Sequence, residues 1–146
     1  MKIRSIAFGA ALAALAASPS LVRAEATTTP LGETIKPAFR EAIPNVPGKS
    51  LVAIVVNYTP GGKSLPHHHG RSAFVTAYVL TGAIRSQVEN GETRVYKAGE
   101  HWTEPPGAYH PVSENASATE PASLLAIFVA DTDESDDAEL TIFEQQ

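Results

Sequence analysis

The sequence predicts an all-β domain folded as an antiparallel sandwich or barrel. Apolar, β-branched runs recur about every 8 to 12 residues, Gly and Pro punctuate them, and no convincing helical period appears in the chain after its first two dozen residues. Residues 25–48 read as a loose N-terminal arm, rich in Thr and Pro, with one short strand near Phe39–Ile43. Ser50–Tyr58 is a β-branched run ended by Pro60-Gly61-Gly62, the pattern of a buried strand closed by a turn. Ala73–Leu80 is a second such run, closed by Thr81-Gly82. Ala83–Val88 and Thr93–Lys97 flank Asn90-Gly91, the strongest short hairpin signal. A strand over 100–104 follows the turn at Ala98-Gly99, and another over His110–Ser113 follows Pro105-Pro106-Gly107. Ala122–Ala130 is the most apolar strand of all. Residues 131–146 begin with six acids among nine residues, expected to form a solvated loop, and end with an apolar stretch suited to an edge strand. No internal repeat is present, so residues 49–130 are expected to form one barrel.

The ends and the charge bound the function. Residues 1–24 combine a basic start, a short alanine-rich apolar run and small residues before Ala24, the pattern of a secretory signal peptide rather than a membrane span. The mature protein is therefore expected in the periplasm or outside the cell, free of the membrane. That segment holds Lys2, Arg4 and Arg23 and no acids, so its removal takes the formal charge from -5 to -8. A chain this acidic excludes nucleic acid as an expected partner, because phosphate contacts need clustered Lys and Arg. With no cysteine in the chain, disulfides and thiolate ligands are excluded, and His and carboxylate are left to hold any metal.

Histidine spacing carries the sharpest chemistry. Successive strand side chains point to opposite faces, so His67 and His69 share a face and His68 points away. His110, 41 residues beyond His69 and directly after the Pro-Pro-Gly turn, supplies a third imidazole. Three such nitrogens suit one divalent metal ion, Fe, Mn, Cu, Ni or Zn, and leave coordination positions open. His101 is expected to be a core or surface residue. Arg71 reads as a solvated loop arginine, with an anion-fixing role as the alternative. Arg85 and Gln87 alternate with Ile84, Ser86 and Val88, and the sequence does not say which set faces inward. Tyr78, Trp102, Phe74 and Tyr109 are candidates for an aromatic pocket wall.

These intervals resemble those of small single-domain cupins. Gly61, five residues, His67, His68 and His69 reproduce the opening of the first cupin motif, G-x5-H-x-H-x(3,4)-E-x6-G. Gly99, five residues, Pro105, Pro106, Gly107, two residues and His110 match the second, G-x5-P-x-G-x2-H-x3-N. The resemblance covers about residues 57–129 and implies a jelly-roll barrel, the double-stranded β-helix of that family. It departs in two places. The first-motif glutamate is absent: counting forward from the histidines gives Gly70–Phe74, and counting back from Gly82 gives Val75. That mismatch implies a bulge near Gly70 or a register in which His69 and Arg71 take the ligand places. Asn115 also stands one residue late in the second motif.

Glu104, just before the proline pair, has three open roles: it replaces the missing ligand, acts as acid or base beside the metal, or points to solvent. The resemblance to quercetin dioxygenase-like cupins implies an oxygen-dependent oxidoreductase acting on a small organic molecule. A non-catalytic cupin that binds or senses a small molecule or metal, and a cupin isomerase using Glu104 with a histidine, are the alternatives. A homodimer is expected, since the apolar runs at 51–56 and 124–129 leave edges to cover and arms of small cupins often pack on a neighbouring subunit.

Overall fold

The computed structural model describes residues 27–29, 31–134 and 140–143. The expected signal peptide and residues 135–139 of the acidic run lie outside them. Twelve strands account for nearly all the regular structure described. They are β1 (Thr27–Thr28), β2 (Glu33–Ala42), β3 (Lys49–Tyr58), β4 (His67–His69), β5 (Phe74–Thr81), β6 (Ala83–Gln87), β7 (Arg94–Lys97), β8 (His101–Glu104), β9 (Tyr109–His110), β10 (Val112–Asn115), β11 (Ala122–Asp131) and β12 (Thr141–Phe143). Six of them form one sheet in the order β1-β2-β3-β11-β5-β8. The rest form two three-stranded sheets, β10-β6-β7 and β12-β4-β9. Every pairing is antiparallel.

The large sheet is built on β11, which pairs residue for residue with β3 from Ala122↔Tyr58 to Asp131↔Lys49 and with β5 on its other side. Strict alternation explains why this scaffold forms. Val75, Ala77 and Val79 of β5 are buried while Phe74, Tyr78 and Leu80 are exposed, so one face feeds the core and the other looks outward. Val52, Val56, Leu124 and Phe128 complete the inner face, and Ile84 of β6 meets it from a small sheet. Gly82 turns β5 into β6 with φ of 68°, and a side-chain carbon there would stand 2.8 Å from the Pro121 carbonyl oxygen. Only glycine fits such a corner.

Three local expectations change. The loose arm is instead a ten-residue strand over 33–42, paired with β3 along its length around a register shift between Pro37 and Phe39, because the exposed edge of β3 supplies backbone partners that sequence periodicity does not show. The hairpin loop after β6 is longer than two residues. Gly91 N–H donates to Val88 O at 3.0 Å, and the positive φ of 52° falls on Glu89. Glu89 is held there by Tyr109, whose backbone N–H donates to the Glu89 carboxylate and whose O accepts from Glu89 N–H. The acidic run is not wholly a solvated loop either: Thr132–Glu134 form a 3-10 turn, and the Glu134 carboxylate accepts a 3.0 Å hydrogen bond from Ser72 N–H.

Candidate metal centre

His67 and His69 point inward from β4 and are buried, while His68 between them points the other way and lies against the Tyr109 ring at 4.7 Å. Strand β9 pairs His110 directly with His67, so the third imidazole arrives opposite the first. One nitrogen from each of the three buried rings lies within 4.8 Å of the others. Sequence spacing alone anticipated this trio. The expected C-terminal edge strand forms as β12 and pairs with β4, a pairing the sequence did not give, placing Thr141 opposite His69 and Phe143 opposite His67.

Each ring is held from behind. His67 Nδ1 lies 2.8 Å from Leu65 O, His69 Nδ1 lies 3.2 Å from Leu140 O, and His110 Nε2 lies 2.9 Å from Ser86 Oγ. The two carbonyls can only accept, so His67 and His69 carry their protons on Nδ1 and present Nε2 as a base. If Ser86 likewise accepts, His110 presents Nδ1. Outer-nitrogen protons given to carbonyl or hydroxyl acceptors are the arrangement that orients metal-ligating imidazoles.

Glu104 reaches the same point from β8. It is 1 % exposed, among the most deeply buried side chains described, which removes the solvent-facing role from the three considered. Its Oε2 stands 2.9 Å from His69 Nε2 and its Oε1 stands 3.4 Å from His110 Nδ1, while Trp102 Nε1 donates to Oε1 at 3.0 Å. His69 Nε2 and Glu104 Oε2 are in ion-pair contact with each other, and neither of these water-sealed atoms has a further hydrogen-bond partner. A buried carboxylate and imidazole held against each other with no further partner for these atoms are costly on their own. Both are donor types that bind divalent metals, and a cation between them would satisfy both. The residues present therefore fit a bound cation.

Electrostatics agree with the geometry. Burial pushes the His67 imidazole down to about 4 and lowers that of His110, so both stay neutral and able to bind a metal. Burial pushes the Glu104 carboxyl up, but its contacts with His69, His110 and Trp102 outweigh that and hold it below the usual range. A buried carboxylate needs a positive partner, which a bound metal ion would supply.

The family motif's missing glutamate has a spatial explanation. Val75, where the backward count falls, pairs directly across the strands with Glu104. Both point inward and both line the cavity, so the carboxylate enters from the neighbouring strand at the level the motif assigns to β5. The cavity and its open mouth together enclose about 470 Å³ of non-atom space. Ile35, Ile54, Val56, Leu124, Ala126 and Phe128 form its apolar walls.

The remaining candidates separate. Trp102 lines the cavity, whereas Phe74 and Tyr78 are exposed on the outer face and Tyr109 packs on His68. Ile84 and Ser86 are the inward set, and Arg85 pairs outside with Glu114. His101 and Arg71 are exposed. Sequence reasoning missed Ser86, the partner of His110, and a second buried carboxylate, Glu33, which also lines the cavity. A lone serine and an arm glutamate carry no spacing signal.

Comparison with known proteins gives consistent results. Residues 54–128 match the family model of the cupin domain. A germin-like protein of Arabidopsis thaliana (subfamily 2 member 2) is 31% identical over 102 residues, covering 67% of this chain and 45% of that protein. The match thus spans less than half the length of this curated relative. An oxalate oxidase solved in complex with the substrate analogue glycolate superposes with a TM-score of 0.56 at 25% identity, covering 77% of this chain and 58% of that one. The KdgF structure from Halomonas sp. superposes with a TM-score of 0.57 at 22% identity over 75% of this chain and 89% of that one. The fold is the jelly-roll barrel.

Proposed function

Because the chain belongs to the cupin domain family, we propose that it is an exported cupin that holds one divalent metal ion through His67, His69 and His110, with Glu104 as the fourth protein ligand, and acts as an oxidoreductase on a small organic molecule. The observation that carries the reading is the convergence of three buried imidazoles, each held from behind, with the buried Glu104 carboxylate against His69. A bound Fe, Mn, Cu, Ni or Zn ion would supply Lewis acidity, and a redox-active one would also supply electron transfer. The protein's own part is positioning. Leu65 O, Leu140 O and Ser86 Oγ keep the imidazoles in one tautomer, Trp102 Nε1 steadies Glu104, and the apolar walls keep bulk water from the reacting end.

A structural neighbour, an oxalate oxidase solved with the substrate analogue glycolate, supports a small carboxylate as the class of molecule bound. Elemental analysis of the exported, untagged protein tests the metal: about one Fe, Mn or Cu per chain supports the oxidoreductase, one Zn favours isomerase chemistry, and none leaves a metal-free binding module. Secretion is tested by N-terminal sequencing, expected to begin at or near Glu25. No helix among the described residues is long and apolar enough to cross a membrane. The homodimer belongs to the same proposal. Phe74, Tyr78 and Leu80 stand exposed together on β5 and suit burial against a second copy. Light scattering is expected to give a dimer, and a monomer of about 13 kDa overturns it, from roughly 110 Da per residue.

A further inference from the structure

A second polar cluster lines the same cavity and takes no part in the metal centre. Glu33 and Tyr58 are cross-strand partners on β2 and β3. Ser64 Oγ donates to Glu33 Oε1 in a short contact, and Tyr58 OH lies 2.6 Å from Ser64 Oγ and 2.9 Å from Ser113 Oγ. Because the Ser64 proton goes to Glu33, Ser64 can only accept from Tyr58, and Tyr58 in turn accepts from Ser113. The hydroxyls therefore run in one direction, Ser113 to Tyr58 to Ser64 to Glu33. All four residues line the cavity. The arrangement leaves hydrogen-bonding capacity at both ends, on the Ser113 oxygen and the second Glu33 oxygen, which a group able both to donate and to accept can meet.

We propose that Glu33, Ser64, Tyr58 and Ser113 form a second subsite of this cavity, which binds the hydroxyl group of a small hydroxycarboxylic acid whose carboxylate lies at the histidine end. The inference rests on the reading of the histidine end as a metal site. Ile54, Val56, Leu124 and Phe128 line the same cavity as the two polar clusters, which suits a ligand with two polar groups on a carbon frame. A hydroxyl fits better than an ammonium. Burial pushes the Glu33 carboxyl up, with the Ser64 hydrogen bond only partly opposing it, and burial thus disfavours the charged form that a buried cation would need as its partner. A cluster that only fastened strands would need no carboxylate, since a buried acid with one hydrogen-bond partner is costly.

The test is calorimetric titration of the mature chain, metal-loaded and metal-stripped, with glycolate against acetate, 3-hydroxypropionate against propionate and 4-hydroxybutyrate against butyrate. At least one hydroxy acid is expected to bind about ten-fold more tightly than its parent, the scale of one well-placed hydrogen bond. That advantage should vanish in Ser113→Ala and shrink in Glu33→Gln, with metal content unchanged in both. Ser64→Ala breaks the same chain nearer the surface and serves if Ser113→Ala fails to fold. Equal affinity of every pair, absence of binding by any member, or an advantage that survives these substitutions overturns the subsite. A protein that takes up no metal but keeps a hydroxyl preference dependent on Glu33 and Ser113 overturns the metal centre instead and leaves the subsite standing.

Discussion

Glu104 and Glu33 are both buried carboxylates in one cavity, 1 % and 3 % exposed, yet their acidities move in opposite directions. Burial acts on both alike and pushes both up. Their neighbours differ. Glu104 meets two imidazoles and an indole N–H and is held below the usual carboxylate range, whereas Glu33 has the Ser64 hydroxyl and stays above it. Desolvation sets the scale of such shifts, and the donors within reach set their sign. One end of the cavity is thus prepared for a cation and the other for a neutral donor.

The largest effect that would break this contrast is loss of the metal. His110→Ala is expected to abolish stoichiometric metal, measured by elemental analysis, while His68→Ala retains it because that ring lies outside against Tyr109. Loss in His68→Ala with retention in His67→Ala would place the ligands on the other face of β4. Next, Glu104→Gln is expected to weaken metal affinity about 10- to 100-fold, the scale of removing a carboxylate that holds or orients ligands, measured by competition with a chelator. An unchanged affinity would assign Glu104 to acid-base work rather than ligation.

Smaller effects sharpen the comparison. His67 is depressed to about 4 from an ordinary 6.5, so the unfolded chain binds more protons between those values. The metal-free protein should therefore lose stability as pH falls through that window, by up to ~3 kcal/mol at 1.36 kcal/mol per unit, and His67→Gln should flatten that slope in denaturant titrations. Glu33 has the opposite sign. Its raised carboxyl makes the folded chain bind more protons, so it costs stability as pH rises above about 4.5, and Glu33→Gln should be more stable than wild type at neutral pH and equal to it in acid. A destabilised Glu33→Gln would mean that Glu33 is ionised and well paired.

Much of the scaffold was legible because its signals are local. Val75, Ala77 and Val79 alternate with exposed neighbours, and Gly82 marks a corner only glycine can turn, so β5 and its end follow from sequence period and backbone sterics. The same alternation put His67 and His69 on one face and His68 on the other, and motif spacing brought His110 to them. What period cannot give is which strands become neighbours. That pairing alone set Glu104 beside Val75, brought Ser86 behind His110, laid Leu140 O against His69 and turned an apparent arm into β2 with Glu33 inside. Sequence thus determined the barrel and the inward face of the three histidines, because strand geometry repeats every two residues. The carboxylates, the ring orientations and the two-ended cavity were decided by tertiary structure, because hydrogen bonds between residues 24 to 71 positions apart leave no trace in local order.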